Sequence, residues 1–207
     1  MESGNNSQGR MAWGLWPQWV LVSTVGFAIG PVLGGEFTRG ITFITGFGTA
    51  VTVGVAQWLV LRRHLPQASW WLLATFVGII VGGFLGWMFS IMYLDALCGL
   101  AIAIAVCIAQ WVFLRRRVRR AFLWLVPGAF FFWIGVELAY GVALPLFSSP
   151  VPDPFQGGTM YEFPQNNYAF RAIFGALTGV VTGTLMGPII AWLVRHPRPT
   201  QKAENSL

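Results

Sequence analysis

The sequence predicts an all-α integral membrane protein, with six transmembrane helices as three tandem repeated hairpins and both termini cytoplasmic. Four observations carry this. Apolar residues make up 56% of the 207 and charged ones only 10%, whereas soluble domains carry about a quarter charged. Several apolar runs also reach the roughly 20 residues needed to cross a hydrocarbon core. A stretch from Ala50 to Leu72 returns 53 residues later: Ala50-x3-Gly54-x2-Gln57-Trp58-x2-Leu61-Arg62 is answered by Ala103-x3-Cys107-x2-Gln110-Trp111-x2-Leu114-Arg115. Finally, the basic residues gather in alternate loops.

The elements follow in order. Residues 1–11 are polar and rich in Gly, Ser and Asn, which predicts a disordered cytoplasmic N-terminus. The next apolar run is too long for a signal peptide and lacks a cleavage site, so it reads as a first span over about 12–35. It carries Gly26, Gly30 and Gly34 at every fourth position; Pro17 suits the helix start and Pro31 bends the far half. Helix two covers about 41–61 and the loop 62–68 follows it. Helix three, about 69–94, carries Gly78, Gly82 and Gly86, which match the glycines of helix one at an offset of 52, while Trp71 matches Trp19. The repeating unit is therefore a whole two-helix hairpin.

Asp95 marks the next turn, helix four runs to about Leu114, and Arg115, Arg116, Arg117, Arg119 and Arg120 follow. Helix five, about 121–147, is aromatic through Phe130 to Trp133 and contains Glu137. From Ser148 to Tyr168 the prolines at 150, 152, 154 and 164 predict an irregular loop at the membrane interface. Helix six, about 169–194, carries Gly175, Gly179, Gly183 and Gly187; Ala191 stands where the first two hairpins have glutamine. A cytoplasmic tail, 196–207, closes the six-helix domain of 12–195, whose hairpins are about 12–61, 69–114 and 121–194.

Orientation follows from charge. Residues 1–11, the loops at 62–68 and 115–120, and Arg195 with the tail hold 11 of the 13 Arg and Lys residues. The other side holds only Arg39 and Arg171, beside Glu36, Asp95, Asp153 and Glu162. Positive charge stays inside, so both termini face the cytoplasm, as an even number of spans requires.

Positions 50, 54, 57 and 61 share one helical face made of two small residues, a glutamine and a leucine. Small residues admit a neighbouring backbone, and a glutamine in lipid needs a partner. Trp58 lies about one turn before Arg62, at the membrane edge. The doubled motif resembles a group of small polytopic bacterial membrane proteins with a repeated small-x3-small-x2-Gln-Trp-x2-Leu-Arg signature. The resemblance covers 50–78 and 103–125, departs where Ala103 and Cys107 replace glycines, and implies this fold in a bacterial inner membrane without assigning a chemistry.

Gln57 and Gln110 are candidate interhelical or ligand contacts. Glu137 is the one acid well inside a span, and there it needs a partner, a proton or water; Tyr140, Arg171 and Arg39 are the candidate partners. The arginines at 115–120 set topology and are candidate contacts for anionic lipid. His64 and His196 sit beside arginines, and Cys98 and Cys107 lie about 13 Å apart along one helix, too far to bridge. No metal cluster, cofactor motif or catalytic set is read from the chain, and the pI near 10.2 reflects topology rather than nucleic acid. The expected partners are the bilayer and other membrane subunits or further copies of the chain. The glycine ladders then read as docking faces of a non-catalytic accessory or scaffold subunit. The alternative is a small-solute transporter or substrate-capturing component, since six spans with both ends inside look like the capturing components of energy-coupling-factor vitamin transporters in size and topology alone. The aromatic residues suit a membrane-edge belt, and would also pack against a flat pigment, quinone or lipid.

Overall fold

The computed structural model describes residues 14–36, 42–65, 67–91, 95–147, 150–152, 159–161 and 167–196. These form six helices: α1 (Leu15–Glu36), α2 (Thr42–Leu61), α3 (Ser69–Ile91), α4 (Asp95–Leu114), α5 (Phe122–Phe147) and α6 (Tyr168–Arg195). The expectations for residues 1–11 and for the tail beyond His196 lie outside the described residues, as does Arg39. The boundaries follow local chemistry. Arginines end α2 and α4, and Asn167 caps α6 by accepting a hydrogen bond from the Phe170 amide at 3.1 Å. The two arginine loops turn through left-handed residues at matched places, Gln67 at φ 53° and Arg120 at φ 55°.

Four helices are long and apolar enough to cross a membrane, over Leu15–Leu33, Ser69–Phe89, Phe122–Phe147 and Tyr168–Arg195; Gly48–Leu61 and Gly99–Leu114 are shorter apolar stretches between them. Large apolar side chains point outward, with Leu21, Val126 and Leu146 each more than 60% exposed. A surface of this kind suits lipid rather than water. Prolines inside α1, α5 and α6 are tolerated in such helices because neighbours satisfy the freed backbone groups.

Each helix packs against its neighbours in the chain, and α6 returns to α1, closing a ring. The packed pairs run antiparallel: Gly26 faces Val53 while Gly30 faces Thr49, and Gly78 faces Val106 while Gly82 faces Ile102. The proline-rich segment is not wholly irregular. Strand β1 (Pro150–Pro152) pairs antiparallel with β2 (Thr159–Tyr161), Val151 opposite Met160. Prolines are compatible with such a two-stranded edge because each edge strand needs only part of its N–H groups paired.

The largest buried cluster lies at the arginine-loop end. Trp19, Trp71 and Trp124 meet there over Leu61, Leu114, Val118, Ile190 and Leu193. The three indoles stand edge to face, with centroids 5.9 Å apart for Trp19–Trp71, 6.0 Å for Trp19–Trp124 and 5.3 Å for Trp71–Trp124. Each such pair contributes about 0.5–1.5 kcal/mol beyond its buried area.

Candidate functional site

The two glutamines make the same contacts twice. Gln57 on α2 donates to Ser23 Oγ on α1 at 3.3 Å and accepts from the Trp71 indole on α3 at 3.1 Å. Gln110 on α4 donates to Thr75 Oγ1 on α3 at 3.0 Å and accepts from the Trp124 indole on α5 at 3.0 Å. Each amide thus ties its own hairpin to the next one. Both are buried, at 8% and 4% exposure, where an unmet amide is costly. Thr75 also donates to the Trp71 carbonyl at 2.9 Å, leaving its oxygen to accept from Gln110.

These groups form one end of a cavity inside the ring, with a volume near 340 Å³ and lining residues from all six helices. The tryptophan cluster lies at that end. From there the cavity runs along the helices past Phe27, Val53, Ile79 and Phe132 to Pro31 on α1 and Trp87 on α3. Twelve residues of helix separate Trp19 from Pro31, about 18 Å of length. Among the described lining residues, polarity is confined to the glutamines, Ser23, Thr49, Thr75, Thr178, Thr182, Cys107 and the indoles, and none is an Asp, Glu, Lys, Arg or His. The chamber therefore suits an uncharged body, apolar along its length, that meets hydrogen-bonding groups at the tryptophan end.

Glu137 is not part of this chamber. It lies exposed on the outer side of α5 and accepts a hydrogen bond from the Trp133 indole one turn earlier, at 3.1 Å. Arg171 sits instead over the Tyr168 ring at 5.8 Å.

The glycine ladders are taken up inside the ring. A Cβ at Gly26 or Gly30 would stand 2.8 Å or 2.5 Å from the α2 backbone, and one at Gly78 or Gly82 2.5 Å or 2.6 Å from that of α4. At Gly175, Gly179 and Gly183 it would meet the α1 backbone at 1.9, 2.6 and 2.9 Å, and at Gly187 the Trp16 ring at 2.1 Å. Gly86 is buried too, while Gly34 belongs to α1 but its surroundings lie outside the described residues. These faces hold helices of this chain together rather than lying open for another subunit.

In the arginine loop, Arg115, Arg116, Arg119 and Arg120 are exposed. Arg117 is drawn in: it lies over the Phe113 ring at 4.3 Å and donates to Gln67 Oε1 of the other loop. Burial, with Arg116 beside it, lowers its pKa below the usual arginine value. Arg62 and Arg115 lie over Trp58 and Trp111 at 5.2 and 5.1 Å, and His196 stacks on Trp192 at 4.3 Å at the same four-residue spacing on α6.

Ser23, Thr75 and the inward tryptophans are site residues that sequence reasoning passes over. Their signal is the match of Trp19 with Trp71 and Trp124, which membrane-edge placement hides. No family model, curated protein or solved structure matches the chain.

Proposed function

We propose that the chain is a six-span membrane protein that captures a small uncharged molecule, as a carrier or the substrate-binding component of one. The observation carrying this reading is the cavity of about 340 Å³, reached by all six helices and with no charged residue among its described lining. A scaffold would fill that space with side chains, because each unfilled volume in a core forfeits packing energy. The doubled Gln–Trp contacts support three repeated hairpins about a common axis, the third of which has lost its glutamine. The arginine distribution supports six spans with both termini cytoplasmic, and the cavity then extends from the inner-leaflet tryptophans toward the outer side. No nucleophile and base meet in the chamber to suggest catalysis there.

The accessory-subunit reading keeps one observation. Glu137, Trp133 and Gly141 share an outward stripe on α5, and a Cβ at Gly141 would meet nothing within 4 Å. A carboxyl on a lipid-facing surface favours a polar partner.

The test is extraction in mild detergent followed by mass spectrometry of solvent-extracted small molecules. A stoichiometric neutral compound that disappears in Gly83→Leu, whose side chain enters the cavity, is the expected result. A chain that carries nothing, gains no thermal stability from any neutral lipophile and co-purifies with a stoichiometric membrane subunit would replace this reading with the scaffold.

A further inference from the structure

The tryptophan layer has three members but only two acceptors. Trp71 gives its indole N–H to Gln57 and Trp124 gives its to Gln110. On α6 the lining residue in the place of Gln57 and Gln110 is Met186, which offers only a weakly accepting thioether sulfur; Ala191 packs with Leu15 and Val60 instead. The position on α5 that corresponds to Ser23 and Thr75 is Gly128, which offers no hydroxyl. Trp19, the third member, is 1% exposed and lines the cavity. Among the described residues its indole makes ring contacts with Trp71 and Trp124 and gives its N–H to no side chain or carbonyl, and that nitrogen is not fully enclosed, as the unpartnered one of Trp16 is, so it has the cavity beside it. An indole N–H in an apolar interior ordinarily finds a partner.

We infer that Trp19 donates its indole N–H to an oxygen of the captured molecule, which takes the place of the missing third glutamine. The inference rests on the capture reading and narrows its ligand. The molecule has an uncharged oxygen acceptor at one end, a carbonyl or a hydroxyl, and an apolar body that extends toward Pro31 and Trp87. Charge is unsuited to it, since no described lining residue could pair with an ion. The third position is also the adaptable one. A Cβ at Gly128 would stand 2.9 Å from Cys107 Sγ and 3.0 Å from Met186 Cε, and a methionine can change rotamer to admit a ligand atom at little cost. At the other two positions the glutamine amides close the layer against a ligand. The departure from the repeat is thus what makes the chamber a site with one polar end.

The experiment uses the full chain in detergent and two probes, a long-chain methyl ketone and the matching alkane, each brominated at the end far from the ketone. Bromine quenches tryptophan emission at short range, and Trp87 lies at the far end of the cavity. The ketone should bind roughly three- to tenfold more tightly than the alkane, the range expected of one net hydrogen bond. Trp19→Phe should abolish that preference while keeping alkane binding. Met186→Gln, which supplies the acceptor from the protein, should abolish it with Trp19 intact, so the inference stays testable if the Phe variant folds poorly. The matching alcohol separates hydroxyl from carbonyl recognition: equal preference for alcohol and ketone means that the acceptor alone is read. Alkane and ketone bound equally by the unaltered chain, or a ketone preference surviving in both variants, would overturn the inference and leave the capture reading standing. Failure of every probe to bind would overturn both.

Discussion

At the scale of single residues, the weight falls on Gln57 and Gln110. Replacing either with Leu strands an indole N–H on one neighbour and a hydroxyl on another. Interhelical hydrogen bonds in lipid average below 1 kcal/mol, but orphaning buried partners adds to that. Each substitution should lower unfolding stability in detergent by about 1–2 kcal/mol, and the double variant by roughly the sum, because the two sites share only Thr75 and the tryptophan layer. His64 supplies a pH dependence. Burial, and secondly Arg63, hold its pKa below the usual 6.5. The unfolded chain therefore takes up this proton at a higher pH than the folded one. Stability is complete above about pH 6.5 and declines as pH falls toward the lowered folded value. A thermal midpoint that drops on acidification through this window, with a shallower drop in His64→Asn, is the expected outcome. That the glutamines need partners is legible in the sequence. That the partners are indoles 14 residues onward is not, because a tryptophan near a helix start reads equally well as an interfacial anchor.

At the scale of elements, helix limits were open to sequence reasoning because arginines, Asn167 and apolar run lengths punctuate the chain strongly. Among the described residues, prediction and structure agree within a residue at most helix ends. The β-hairpin at 150–161 escaped because four prolines in a row of turns mask the short β-forming run Thr159–Tyr161. The ladders show the limit more sharply: a glycine every fourth residue announces a close approach without saying whose backbone approaches. Substitutions separate the cases. Gly175→Ala drives a Cβ to 1.9 Å from the Phe27 carbonyl oxygen, so α6 and α1 must part, and a loss of several kcal/mol or failure to fold is expected. Gly141→Ala meets open space and should leave the thermal midpoint unchanged or slightly raised.

At the scale of the molecule, the cavity was the illegible part. A void is made by side chains from six helices all stopping short, and no single segment records it. The membrane disposition is more accessible to reasoning and to test. Single-Cys variants at Ser3, Ser149 and Ser206, with Cys98 and Cys107 replaced, should react with an impermeant reagent in intact cells only at Ser149. Labelling at Ser3 or Ser206 would reverse the assigned orientation.

The closure of α6 onto α1 bears on how such a chain matures. Its closest backbone approaches, Gly175 to Phe27 and Gly179 to Ser23, join α1 to a helix made well over a hundred residues later. Synthesis proceeds at about 5–20 residues per second, so α1 waits many seconds with one flank against lipid before its partner exists. Neighbouring hairpins can associate meanwhile, but the chamber has no wall on that side until α6 docks, so its closure is a single late step. Two fragments divided between α5 and α6, expressed together, should recover it through the same seam.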